Sequence, residues 1–228
     1  MEKIGIIGAM PEEVLLLKNR MSGVSIEKVA GLEIYCGEMH GKKVYLCQSG
    51  MGKVARGAAT QVLCLKYGID KMIFSGIAGN MTTKIGVGDV CLGKEVMYHD
   101  ADLRMIARHY PNLTSYKGDE GLLEAAGRAC REIGANYIEG KIATGDQFVG
   151  DSRTKNKIRD FCDPDCVEME GAAVAHIAAK NDVPCLVIRS MSDNADEAAT
   201  EKLIVKQFDI SEYADHAAKI CELTVKYC

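Results

Sequence analysis

In the stretch VEMEGAAVAH the chain sets Glu168 and Glu170 on either side of Met169, where an extended run meets an alanine-rich helix. Residues two apart in an extended chain point to the same side, so both carboxylates can face the end of a sheet. A carboxylate at a helix start is also favoured by the helix dipole. Acids recur at comparable places: Glu12 and Glu13 in GAMPEE, and Asp193 behind Arg189 and Ser192 in RSMSDNAD. Grouped carboxylates can divide acid and base work, one protonating a leaving group while others steady positive charge. An acidic first helical turn alone would account for Glu168 and Glu170 equally well.

These residues need elements to hold them. Runs rich in Val, Ile and Tyr at 3–8, 32–39, 43–50, 71–76, 89–99, 138–145, 166–170 and 185–190 predict strands. Helical patterns lie between several of them. Pro11 suits the first helical position ahead of EEVLLLKNR, and GKVARGAATQVLCLKYG closes on Gly68 as a C-cap. LLEAAGRACREIG and GAAVAHIAAKN are two more helices, and Ile210, Tyr213, Ala214, Ala217, Cys221 and Val225 mark an amphipathic one at the end. His40-Gly41 predicts a hairpin, while the later strands alternate with helices, so the sheet is expected to be mixed and covered on both faces. The segment 101–121 is the least regular, and a long irregular loop in a compact domain is often functional.

In open α/β sheets ligands gather at the carboxyl ends of strands. The segments expected there are GAMPEE, SGMGK, SGIAGN, ATGDQF, VEMEG and RSMSDNAD. Together they make an acid-rich pocket rimmed by backbone N–H groups. GIIGAM is not GxGxxG, and no Ser or Thr follows Lys53, so a dinucleotide or nucleoside triphosphate site is not expected. Tight turns and close packing explain most of the glycines.

Bulk properties narrow the class further. The chain has 228 residues, 47% hydrophobic and 26% charged, with a formal net charge of −4. Nothing there asks for nucleic acid or an anionic membrane, and no segment approaches the ~18 apolar residues of a membrane span. One domain over 1–228 in the cytoplasm is the expectation. Of the ten cysteines, Cys47, Cys64, Cys91 and Cys185 sit in apolar runs and read as buried hydrophobes. Cys162 and Cys166 are the only close pair, and without a second pair or a suitably spaced His no metal is expected. His99 reads as a hydrogen-bonded residue fixing a loop, and His176 as structural.

Seven segments in order, KIGIIGAMPEEV, SGMGKVARGAAT, SGIAGN before VGDV, YHDAD, TGDQF, VEMEGAAVAH and RSMSDNAD, resemble the nucleoside phosphorylase and nucleosidase superfamily. Within it they are most similar to the 5′-methylthioadenosine/S-adenosylhomocysteine nucleosidases. The resemblance implies a three-layer α/β/α sandwich around a mixed central sheet, and a homodimer that hydrolyses the N-glycosidic bond of a 5′-thio adenine nucleoside without a cofactor. It implies Glu13 as general base on water and Asp193 as proton donor to adenine N7, with Ser192 beside it. Glu170 is matched to the ribose hydroxyls and Met169 to the sugar. Phe148, Val149, Ala78 and Gly79 are matched to the base, Met51 to the 5′ group and Arg189 to the water. Ala9, Ile77 and Glu168 complete the implied binding set, with Glu168 expected mainly to support the turn. A partner loop near Met105 and Ile106 is expected to close the 5′ pocket.

Two departures stand out. Ile77 replaces the small hydroxyl residue these nucleosidases often carry near the water, and Leu103, Met105 and Ile106 supply no aromatic group for the partner's 5′ pocket. Methylthioadenosine, S-adenosylhomocysteine, 5′-deoxyadenosine and a futalosine-type analogue all stay open as substrates. A phosphorylase is the first alternative. Phe74 stands where such enzymes place an arginine, and Glu13 would repel phosphate. A non-catalytic nucleoside sensor is the second.

Overall fold

The computed structural model describes residues 1–204 and 211–228. Ile210, expected in the last helix, lies outside them. The first half runs β1 (Lys3–Gly8), α1 (Pro11–Asn19), β2 (Ser22–Val29), β3 (Leu32–Met39), β4 (Lys42–Gln48), α2 (Lys53–Val62) and β5 (Lys71–Asn80). Then come β6 (Val90–Tyr98), α3 (Leu103–Ile106), β7 (Tyr116–Lys117), α4 (Glu120–Ile133), β8 (Tyr137–Thr144), α5 (Ser152–Cys162) and β9 (Cys166–Glu168). The chain closes with α6 (Gly171–Lys180), β10 (Cys185–Asp193), α7 (Glu197–Ile204) and α8 (Ser211–Tyr227). A π-helical turn, Leu63–Tyr67, extends α2 and stops at Gly68, whose φ of 58° suits the expected cap.

One mixed sheet holds the strands in the order β10-β6-β8-β9-β5-β1-β4-β3-β2, with β7 on β6. β10 also pairs with β5, so β10, β6, β8, β9 and β5 close into a ring. The fold is the expected mixed α/β architecture, one mixed sheet with helices on both faces. Ring closure brings the ends of β5, β8, β9 and β10 to one place. The end of β1 joins them through its parallel pairing with β5.

Alternation along the strands builds a core on each face. In β5, Met72 and Phe74 face the side covered by α2 and α6, while Ile73 faces α1, α4 and α8. β10 repeats the pattern, Cys185 and Val187 to one side and Leu186 and Ile188 to the other. The alanines of α6 leave little bulk between it and α2, so the two helices pack closely. All ten cysteines are unpaired. No helix of the described residues is long and apolar enough to cross a membrane.

Several expectations shift. β5 runs on to Asn80 and β10 to Asp193, so SGIAGN and RSMSD are strand ends, not loops; Asp193 pairs with Gly79 across a register shift. β9 stops at Glu168, two residues short of the predicted end. The 101–121 segment carries α3 and β7, and Leu103 and Ile106 pack partly against the core.

A strand near the middle of the sheet tests this layering. Ile6 of β1 is fully buried under α1 and α8. Ile6→Ala is expected to cost about 2–5 kcal/mol in urea unfolding, whereas a loss under about 0.5 kcal/mol would contradict a packed second layer.

Candidate active site

The strand ends enclose a cavity of about 470 Å³. Ala9 reaches it from β1, Met51 from the β4–α2 loop, Ile77, Ala78 and Gly79 from β5, and Phe148 and Val149 from beyond β8. Glu168, Met169 and Glu170 line it between β9 and α6, and Ser192 and Asp193 from β10. Met51 and Phe148 stand at its mouth, 78% and 48% exposed. Glu13 and Arg189 do not line it; both are buried behind its wall. A second depression, about 530 Å³ between residues 112–119 and 175–185, holds none of the candidate residues.

Glu168 is the best-connected group. Its carboxylate accepts the Glu170 N–H at 3.0 Å and the Gly171 N–H at 2.7 and 2.9 Å, plus the Thr144 hydroxyl and an Arg189 guanidinium N–H. Two of these donors are backbone groups that the first turn of α6 would otherwise leave unpaired. Its residue borders the cavity, while its oxygens accept from the turn that opens α6, from Thr144 and from Arg189. Thr144 completes the joint, accepting the Ala172 N–H at 2.8 Å.

Glu170 is thereby set against the cavity. It accepts the Gly52 N–H at 2.8 Å, and burial followed by the negative charge of Glu168 pushes its carboxyl above the ordinary range. Asp193 is fixed through both oxygens, by the Ser192 hydroxyl at 2.7 Å and the Ala195 N–H at 2.7 Å. Gly79 makes room for this arrangement, because a Cβ there would lie 3.0 Å from Asp193 Oδ1 and 2.9 Å from Ala195 Cβ.

Of the GAMPEE pair, Glu12 is exposed and Glu13 fully buried. Glu13 is the third residue of α1, and its Oε2 bends back to accept the Ala9 N–H at 3.2 Å. Its Oε1 and Arg189 Nη1 have no hydrogen-bond partner among the described residues, and the Ser75 hydroxyl lies near the Glu13 carboxyl without the geometry of a full bond. Burial raises the Glu13 carboxyl, offset only in part by the Ser75 hydroxyl, the Ala9 N–H and the Arg189 charge.

Arg56 was not singled out by the motifs. It is 3% exposed, lines the cavity, donates to the Gly8 carbonyl at 3.0 Å and lies 5.2 Å from the Phe74 ring centre. Arg189 takes the other position on that ring at 3.9 Å. The signal was a lone arginine among the small residues of KVARGAAT, a helix face otherwise fit for burial. His176 is structural, with Nδ1 3.3 Å from the Tyr98 hydroxyl and its ring stacked on Tyr116. The His99 ring packs against Gly145, and its Nε2 has no hydrogen-bond partner among the described residues.

The profile of the phosphorylase superfamily matches residues 3–226. The chain belongs to that superfamily. Among solved members, it is similar to the 5′-methylthioadenosine/S-adenosylhomocysteine nucleosidase of Neisseria meningitidis in complex with methylthio-immucillin-A, at 33% identity and TM-score 0.91 over 100% of both chains. It is similar to the futalosine hydrolase of Helicobacter pylori at 31% identity and TM-score 0.89, over 100% of this chain and 98% of that one. A third member, the nucleosidase of Colwellia psychrerythraea in complex with adenine, gives 30% identity and TM-score 0.90, over 99% and 96% of the two chains.

The burial of Glu13 makes stability depend on pH. The folded state holds its proton more tightly than the unfolded chain, so this contribution is full below the ordinary value of 4.5 and is lost as pH rises through the raised folded value. Glu13→Gln is therefore expected to melt above the wild type at neutral pH, with the gap closing toward about pH 4. Melts at the two pH values check this; a gap of the same size at both would show that charge burial is not its cause.

Proposed function

We propose that the protein hydrolyses the N-glycosidic bond of an adenine nucleoside carrying a 5′ substituent, with the 5′-thio nucleosides methylthioadenosine and S-adenosylhomocysteine as its substrates. The observation that carries this is one cavity with a fixed acid, Asp193, on one wall and a buried carboxylate, Glu170, on another. Cleavage of C1′–N9 sends the bonding pair to the purine and leaves positive charge on the sugar. Protonated Asp193 gives its proton to N7, so adenine leaves neutral, while Glu170 holds the ribose hydroxyls and stabilises the cationic sugar. Water at the Ala9 wall, behind which Glu13 lies, adds to C1′ and passes a proton to Glu13.

The unanswered polar atoms of Glu13, Ser75 and Arg189 support that last step, since a water needs two to four polar partners and these three offer them. They also supply what Ile77 lacks. Phe148 and Val149 form the side of the cavity suited to a flat base, and Met51 the apolar side suited to a thioether. The exposed Met51 and Met105, with Ile106 beside it, fit a homodimer in which a partner loop covers the 5′ end. A futalosine-type 5′ group would need the same acid and base, so the 5′ substituent is the finer point.

Phosphorolysis is the second reading, and Arg56 is the observation that favours it. The cavity has a buried guanidinium after all, with its Nε unpartnered among the described residues, and burial weakens the argument that a charged Glu13 must repel phosphate. Saturable acceleration by inorganic phosphate, lost in Arg56→Met, would establish it.

Asp193→Asn is expected to lower adenine release at least about a hundredfold, and an undiminished rate would remove Asp193 from the mechanism. Gly79→Ala, which presses on Asp193, is expected to lower kcat by about tenfold or more; an unchanged kcat would show that the acid tolerates displacement. Release rates from a panel of 5′-methylthio, homocysteinyl, 5′-deoxy and futalosine-type nucleosides rank the substituents.

A further inference from the structure

The YHDAD segment has no part in the chemistry above, yet three loops around the cavity meet at its first aspartate. Asp100 lies between β6 and α3, and both its oxygens accept from Lys53 Nζ at 2.7 Å. Its Oδ2 also accepts the Asp146 N–H at 2.8 Å. Asp146 closes the circuit: its Oδ1 accepts the Lys53 N–H at 2.8 Å, and its Oδ2 lies 3.5 Å from Lys53 Nζ. The side chains of Lys53 and Asp100 are only 21% and 22% exposed.

What this circuit holds is the neighbour of Lys53. Gly52 has φ 90°, a conformation that side chains rarely adopt, and its N–H donates to Glu170 Oε1 at 2.8 Å. Gly52 offers no side chain to anchor it, and α2 has no side-chain cap of its own. The direction of that N–H is therefore set from the next residue, which Asp146 grips by its backbone and Asp100 by its ammonium. A single partly exposed ion pair holds little. Here two carboxylates, an ammonium and two backbone N–H groups constrain three loops at once.

We propose that Asp100 is a positioning residue for Glu170, acting through Lys53 and the Gly52 N–H. The proposal rests on the reading of Glu170 as the group that holds the ribose hydroxyls. It accounts for Lys53 in a glycine-rich loop that lacks the Ser or Thr of a nucleotide-phosphate motif, and for the spacing of SGMGK, YHDAD and TGDQF around one point.

Two measurements on Asp100→Asn, Asp100→Glu and Lys53→Met test it. Hydrogen exchange read by mass spectrometry is expected to speed up in peptides covering 50–54 and 145–148, with β1 and β5 unchanged. kcat/KM for an adenine ribonucleoside is expected to fall about 10- to 100-fold, and clearly less for its 2′-deoxy counterpart, which has already lost a hydroxyl for Glu170 to hold. Asp100→Glu keeps the charge and should recover part of the loss. Unchanged exchange at 50–54, or equal losses on the two nucleosides, overturns the proposal. If the wild type releases no adenine from either, the nucleosidase reading fails by itself, and exchange at 50–54 still decides whether Asp100 holds Gly52. Lys53→Met removes the same link from the other side should the Asp100 variants not fold.

Discussion

A carboxylate buried beneath a cavity must have its oxygens answered, and Glu168 shows how much structure that requires. Four groups donate to it: the Thr144 hydroxyl from β8, the N–H groups of Glu170 and Gly171 at the start of α6, and Arg189 from β10. Leaving such a charge without partners would cost several kcal/mol, so these elements can only come together with the strand ends in register. The ring closed by β10 and β5 supplies that register. Glu170 is aimed at the cavity because Glu168, two residues before it, is anchored behind it.

The remaining charges follow from this arrangement. Arg189 answers Glu168 and lies on Phe74, with Glu13 close enough to feel its charge. Arg56 shares the Phe74 ring and sits within the field of Glu170. Two guanidiniums on one aromatic ring thus offset part of the negative charge of Glu13, Glu168 and Glu170. The carboxyls of Glu13 and Glu170 are both pushed toward the protonated form by burial, a condition that suits a group meant to exchange protons, as Glu13 is.

Much of this was legible in the sequence, for identifiable reasons. Apolar runs such as KIGIIG and CLVIRS are buried on both faces, so their strands are strongly marked. Order and spacing of the loop motifs located the cavity. β2 was missed because it is an edge strand, exposed along nearly its whole length, with Gly23 and polar residues where a core strand would have a buried face. α5 was missed because only Ile158 in it is fully buried, leaving no apolar stripe to read. The join of β5 to β10 that carries Asp193 to Gly79 depends on contacts more than a hundred residues apart, and no local pattern encodes it. Arg56 escaped because a buried charge is recognisable only once its partners are known.

The central claim is that these carboxylates direct water, and not phosphate, to the sugar carbon. The most direct test is to incubate the protein with methylthioadenosine in phosphate-free buffer and measure adenine and reducing sugar together. Equimolar adenine and free 5-methylthioribose, at a rate unaffected by adding phosphate, is the predicted result. Adenine that appears only with phosphate, alongside a sugar 1-phosphate, would contradict it.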